Sequence, residues 1–445
     1  MQMNHILTRT VYDWCAQQHI NLAGKTILCA VSGGRDSMAL LHVLLELSGR
    51  EGFAVAVAHY NHNLRQNAVR DELLVFDHCM MLGLPFHLGG GDVKEYAKTH
   101  GTSIEDAART LRYEFLQKTA QECGADYIAT AHHRQDNAET LLLHLLRGSG
   151  LNGLGGIAPV RGNIIRPLLM ADRADIDNYI AKNNIPYAED ETNQDTVYTR
   201  NRLRLELLPL LEEIAPGSVG RIADTAQRLR SDEDFLRQYC EREIPLQEQS
   251  DCICVSVTQV KTQPPAIAAR AVRSAARKFD IELTAVQTDA VLSMRRGAYL
   301  PLGGGVRVAH EGEYLRFYRL GDMPEPMELT LGEHLWGPWR VSVYETSDEV
   351  WENAHTVILR GGLNTMKIAA WDGTGRLGVE NGSRTVKRLL ADHRIGVAQR
   401  EHCPAVYVDG RLAAVFGAGT DIALRPVSGE MKLVVSIRKN KSMIG

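Results

Sequence analysis

Ser32-Gly33-Gly34-Arg35-Asp36-Ser37 brings together residue types that handle phosphate. Paired glycines let the backbone approach a ligand closely and adopt positive φ. The N–H groups and dipole of a following helix favour an anion above the turn. Asp36 adds an oxygen ligand of the kind Mg²⁺ uses together with substrate phosphates. The plainer readings are a tight strand-to-helix turn for Gly33-Gly34 and a dipole-complementing residue for Asp36. A second carboxylate, Asp136, stands in His132-His133-Arg134-Gln135-Asp136-Asn137-Ala138-Glu139-Thr140. A helix cap is its alternative role, and capping is compatible with metal binding.

Four loop histidines, His59, His62, His132 and His133, raise the question of zinc. The adjacent pair would point to opposite faces of an extended segment, and Cys252-Ile253-Cys254 lies in another domain with the wrong ligand spacing. Contact with a nucleotide or substrate is the better expectation for them. Glu105, Arg109 and Arg112 recur at i, i+4 and i+7, on one helix face. They form either a solvated ion-pair stripe or a guanidinium set facing phosphate. Arg200, Arg202 and Arg204 read the same way, and two such clusters in one domain favour function. A basic helix expected to carry Arg384, Lys387, Arg388 and Arg394 is ambiguous by itself.

These residues need a scaffold that brings distant loops together. Apolar, strand-like runs at Thr26–Val31, Phe53–His59, Pro85–Leu88 and Tyr127–Ala131 alternate with helical periodicity, including Ala68–Leu82 and a helix opened by Ser103. That alternation predicts a doubly wound parallel sheet, with the loops after the first, second and fourth strands converging at one edge. Asp36 and Asp136 then come within reach of one Mg²⁺. Two tempting motifs fail in context. Gly148-x-Gly150-x-x-Gly153 follows a helix rather than a strand, and His19 stands where a Walker motif ending at Gly24-Lys25-Thr26 needs glycine.

The 445 residues suggest about three domains. We expect boundaries at 1–214, 215–321 and 322–445, with Ala215-Pro216-Gly217-Ser218 as a linker. The middle part reads as mainly helical, turning to short strands around Gly303-Gly304-Gly305, and the last as mixed α+β. A net charge of −4 argues against a protein that coats nucleic acid, but leaves room for local basic patches. Eight scattered cysteines suit reduced thiols. No uninterrupted apolar run is long enough to span a membrane, and the first residues do not resemble a secretory signal, so a cytoplasmic location is expected.

The assembled residues resemble the PP-loop ATP pyrophosphatase superfamily, whose phosphate loop reads S-G-G-x-D-S, here Ser32 to Ser37. Within it the chain is similar to the tRNA(Ile)-lysidine synthase family. His59-x-Asn61-His62-x-Leu64-Arg65 matches the family's second loop, and Glu105-x-x-Ala108-Arg109-x-x-Arg112-Tyr113 its helix motif. His132-His133-x-x-Asp136-x-Ala138-Glu139-Thr140, with Arg147-Gly148-Ser149-Gly150, matches the third loop, and Arg200-Asn201-x-x-Arg204 the closing helix. Lys387, Ile395, Arg400 and Pro404 resemble the terminal RNA-binding domain, where Gly396 and Gln399 replace a proline and a bulky apolar residue.

The resemblance implies an adenine nucleotide alpha hydrolase-like α/β domain followed by two tRNA-binding domains. It implies an activity: ATP adenylates the wobble cytidine of the isoleucine tRNA with a CAU anticodon, and free L-lysine then displaces AMP. The catalytic set would be Asp36, Arg109, Arg112, Asp136 and Glu139. ATP would meet Ser32, Gly33, Gly34, Arg35, Asp36, Ser37, His59 and His62, with Mg²⁺ on Asp36 and Asp136. Arg200, Arg204, Lys387, Arg388 and Arg400 would contact tRNA. Asp136, Glu139 and His133 stay open as the group that deprotonates lysine, and a homodimer is compatible with the sequence. A tRNA thiolase would need cysteines near the site, and Cys29 and Cys123 form no C-x-x-C pair. A nucleotide-gated RNA-binding protein would bind the same ligands without releasing pyrophosphate.

Overall fold

The computed structural model describes residues 5–62, 68–188, 199–249, 252–320, 323–362, 365–397 and 399–439. Leu64 and Arg65 of the second-loop motif lie outside the described residues. The chain divides into two compact units, Met1–Phe235 and Leu236–Gly445.

The first unit opens with α1 (Ile6–Gln17), β1 (Thr26–Ala30), α2 (Arg35–Glu51), β2 (Ala54–Asn61), α3 (Ala68–Leu82) and β3 (Phe86–Gly90). It continues through α4 (Val93–His100), α5 (Ile104–Glu122), β4 (Tyr127–Ala129), α6 (Arg134–Leu146) and α7 (Leu151–Leu154). Then come β5 (Val160–Arg161), β6 (Ile164–Ile165), α8 (Arg173–Lys182), α9 (Thr199–Arg202), α10 (Leu208–Ile214) and α11 (Ser218–Glu243). The sheet order is β3-β2-β1-β4-β6-β5, parallel except for the last pair. The pairs Thr26↔Ala54 and Ile27↔Tyr127 set the central register.

Helices cover both faces, so β1 is apolar on both sides. Ile27 and Cys29 join the core under α1, α2 and α8, while Leu28 turns to the opposite face with Leu116 and Ala120 of α5. Chain order reverses at β1, which has β2 on one side and β4 on the other. A crevice outside the carboxyl ends of β1 and β4 is therefore where such a sheet takes a ligand. β5 and β6 were not foreseen in the sequence, because two-residue strands leave no periodicity to read.

In the second unit, β7 (Gln247–Gln249), β8 (Cys252–Ser256), β9 (Tyr299–Gly303), β10 (Val306–Glu311) and β11 (Tyr314–Arg319) form an antiparallel sheet ordered β7-β8-β11-β10-β9. Its core is shared with α12 (Val257–Thr262), α13 (Pro265–Arg277) and α14 (Ala285–Leu292). The helices expected in the middle stretch are present, and β7 and β8 interrupt them. The rest of the unit packs a five-stranded against a four-stranded antiparallel sheet, including Trp339–Thr346, Thr356–Arg360, Pro404–Val408 and Lys432–Lys439. The basic helix α15 is Val386–Asp392, shorter than expected. Arg384 lies before it on a strand and pairs with Asp392, and Arg394 lies beyond it at φ 61°. Thr385 in an extended conformation starts the helix, and the left-handed residue after His393 ends its direction.

Candidate active site

Gly33 has φ 88°, and a Cβ there would lie 3.4 Å from both the Asp71 carbonyl oxygen and Val75, so α3 closes tightly over the turn. Within the loop, the Ser37 hydroxyl donates to the Gly34 carbonyl at 2.8 Å and accepts the Ser32 N–H at 3.2 Å. Gly34 starts α2 without any side-chain cap. The helix thus presents uncapped first-turn N–H groups and its positive dipole end, as an anion cradle requires.

Arg35 turns away from that cradle. It donates to Asp177 at 2.8 Å and to the Tyr187 hydroxyl at 3.2 Å, which ties α2 to α8 and the segment beyond it. Asp36 receives Arg173 at 2.7 Å on Oδ1. Its Oδ2 lies 3.7 Å from His133 Nε2. On the opposite loop, Asp136 Oδ2 is 3.6 Å from the same nitrogen. The two carboxylates therefore bracket one imidazole, each with its second oxygen held by an arginine.

Local chemistry places the β4 loop. The His133 ring accepts the Gln135 N–H at 3.2 Å, and Asp136 accepts the His133 N–H at 3.0 Å, a reciprocal cap at the start of α6. Burial works against ionisation of Asp136. His133, His132 and Arg200 outweigh it and hold the carboxyl below its usual range. Glu139, one turn on, is fully buried and is gripped by Arg204 at 2.6 and 2.9 Å and by Arg200 at 3.1 Å. Arg204 also reaches Asp136 at 2.9 Å. It sits in a π-helical turn, Leu203–Leu207, between α9 and α10, a distortion frequent at functional sites. Arg200 and Arg204, expected on RNA, thus face the carboxylates at the centre of the site. Arg202 points elsewhere, to Glu206.

His59 is buried and its Nδ1 bonds the Val31 carbonyl at 2.8 Å, which joins the ends of β1 and β2. Burial, partly offset by Val31, Glu72 and Asp71, lowers its pKa. His62 is half-buried with its ring 4.9 Å from that of Tyr60. His132 bonds Thr130 Oγ1 at 3.0 Å, and burial lowers its pKa well below that of free histidine, so it is neutral at pH 7. Arg109 and Arg112 lie 5.2 and 5.4 Å from the Tyr113 ring on α5. In the second unit Lys387 and Arg388 are exposed, whereas Arg400 is half-buried and braces the Ile395 carbonyl at 3.1 Å. Sequence reasoning passed over Arg173, whose partner Asp36 is remote in the chain. No local pattern could have paired them.

An uncapped phosphate turn beside two converging carboxylates, at the reversal point of a parallel sheet, defines a nucleotide-binding PP-loop domain. A PP-loop domain family matches residues 5–211, and the TilS substrate C-terminal domain family matches residues 372–436. The tRNA(Ile)-lysidine synthase of Geobacter sulfurreducens is 32% identical over 439 residues, covering 93% of each chain. That of Petrotoga mobilis is 45% identical over 190 residues, 43% of this chain and 61% of the relative. That of Thermotoga maritima is 40% identical over 221 residues, 50% and 52% of the two chains. Against the latter two, the match spans only about half to three-fifths of the relative. The chain belongs to the tRNA(Ile)-lysidine synthase family.

Proposed function

We propose that this protein joins free lysine to C2 of the wobble cytidine in the CAU-anticodon isoleucine tRNA, using ATP. The cytidine O2 attacks the α-phosphorus and pyrophosphate leaves. The lysine ε-amine then forms the C2–N bond, loses its proton, and AMP departs with O2. The match to a lysidine synthase over 93% of both chains carries this reading. It covers the second unit as well as the ATP-binding one.

The uncapped start of α2 suits the β- and γ-phosphates, whose charge grows as pyrophosphate leaves. Asp36 and Asp136 supply a hard oxygen donor set, which fits Mg²⁺ with phosphates completing its shell. A bound Mg²⁺ supplies charge neutralisation on the departing phosphates. Asp36 and Asp136 would hold it, and Arg173 and Arg204 fix both carboxylates in place beforehand. Arg109 and Arg112 carry positive charge for the polyanionic substrates. Glu139 chiefly acts by positioning Arg200 and Arg204. Lys387 and Arg388 suit RNA phosphate on the second unit.

Purified protein with ATP, Mg²⁺, labelled lysine and the CAU-anticodon isoleucine tRNA should incorporate label, and the methionine tRNA should not. A blank isoleucine lane contradicts the assignment. A homodimer and a cytoplasmic location are part of the same reading. An exposed apolar stripe on α3 (Val69, Leu73, Phe76, Met80) supports the former, and sedimentation tests it. Among the described residues no helix is long and apolar enough to cross a membrane.

A further inference from the structure

Arg166 follows β6 and is only 3% exposed, yet no carboxylate pairs with it among the described residues. Its Nη1 donates to the Ala158 carbonyl at 2.5 Å, and its Nε is buried without a partner among those residues. Nearby, the Tyr113 hydroxyl is likewise buried and faces Arg166 and Arg112, with no carboxylate beside it among those residues. Arg109 and Arg112 flank the Tyr113 ring at 5.2 and 5.4 Å, and neither pairs with a described carboxylate. Arg230 adds a further guanidinium, held by the Gly155 and Gly156 carbonyls at 2.5 and 2.7 Å. Burial, and then the neighbouring Arg109 and Arg161, push Arg166 below its usual pKa, although Tyr113 opposes this. Arg112 is depressed by burial and by Arg109 and Arg200, again against Tyr113.

Burying like charges without a counter-charge is costly. Proteins keep such an arrangement where an anion completes it. The phosphate turn is a separate place: it follows β1, whereas these groups sit on α5 and after β6. We propose that Arg109, Arg112 and Arg166, with the Tyr113 hydroxyl, form a second anion subsite that takes one backbone phosphodiester of the RNA beside the nucleotide being modified. This rests on the function proposed above.

A polymer suits the cluster better than the carboxylate of free lysine does. The charge runs inward from exposed Arg109 through half-buried Arg112 to buried Arg166, as a strand entering from solvent requires. The forks of guanidiniums that flank an aromatic ring remain free at their edges to grip phosphate oxygens. Tyr113 then adds a neutral donor to the same oxygens.

The test uses the full chain with ATP and anticodon stem-loop RNAs carrying one uncharged methylphosphonate linkage each, near the wobble position. Arg109→Gln and Tyr113→Phe spare the buried Arg166 and keep the fold. In the wild type one linkage should cost about tenfold in affinity when neutralised, and that cost should vanish in Arg109→Gln and shrink in Tyr113→Phe. The slope of log affinity against log salt should fall by about 0.7 in Arg109→Gln, as for one lost single-strand phosphate contact. Equal methylphosphonate costs in wild type and variants overturn the subsite, as does a variant that raises only the KM for lysine. Lysidine formation by the wild type is measured alongside. Its absence overturns the proposed function and the subsite with it, whereas its presence without linkage-specific coupling overturns the subsite alone.

Discussion

At the scale of single residues, Asp36 and Asp136 differ in what surrounds them. Asp36 is 31% exposed and held by Arg173, while Asp136 is 13% exposed and faces two arginines. Asp36→Ala should abolish pyrophosphate release while tRNA affinity stays within a few-fold, because it stands in the first turn of α2, directly after the phosphate turn. Lost tRNA binding in a filter assay would sink its assigned metal role. Glu139 is a different case. Glu139→Gln leaves Arg200 and Arg204 without their buried carboxylate and should destabilise the protein by about 3 kcal/mol, the usual penalty for breaking a buried pair. Denaturant melts of both forms measure this. Unchanged stability alongside lost activity would instead make Glu139 a chemical participant.

At the scale of elements, α2 and α3 meet through His42 and His78, whose Nε2 atoms are 2.7 Å apart. One neutral ring must donate to the other. Burial and then His78 lower the His42 pKa to about 4, and burial lowers that of His78. Below pH 6.5 the unfolded chain therefore binds protons that the folded pair refuses, so stability is full above 6.5 and falls as the pH drops towards 4. His42→Leu should flatten the fall in Tm between pH 7 and 5. It should not remove it, since His5, His59 and His132 are also lowered. Identical slopes in both proteins would rule out the pair as a contributor. Because α3 also covers Gly33, acid should loosen the phosphate turn along with this contact.

For the whole molecule, α11 decides where the chain can be cut. Its first half packs on the first unit: Arg134 reaches Asp224 at 2.6 Å, Asn137 donates to the Ala223 carbonyl, and Arg230 holds the Gly155–Gly156 turn. A chain ending at Glu243 should keep ATP affinity and lose discrimination between isoleucine and methionine tRNAs. Ending it at Leu211 strips these contacts and should lower Tm as well, by scanning calorimetry. Equal behaviour of the two truncations would contradict a structural role for α11. In the full chain, Lys387→Glu with Arg388→Glu should weaken tRNA binding and flatten its salt dependence, leaving ATP affinity unchanged.

The sequence by itself determined the local half of this protein. Strand and helix alternation, the uncapped Gly33-Gly34 turn and the cap joining His133 to Asp136 all arise from neighbours in the chain, so short-range patterns carry them. Family motifs extended that to the family and to the reaction proposed above. Only the tertiary structure decided how side chains are shared between remote segments. Arg35 was expected on phosphate and instead holds Asp177, while Arg200 and Arg204 turned out to clamp Asp136 and Glu139. Arg173 joined Asp36 across most of the first unit, and buried Arg166 came to lie near Tyr113 without a described carboxylate. A guanidinium reads the same in sequence whether it faces solvent, a carboxylate or other guanidiniums. Which it faces depends on how strands β1, β4 and β6 stack side by side, and periodicity carries no record of that.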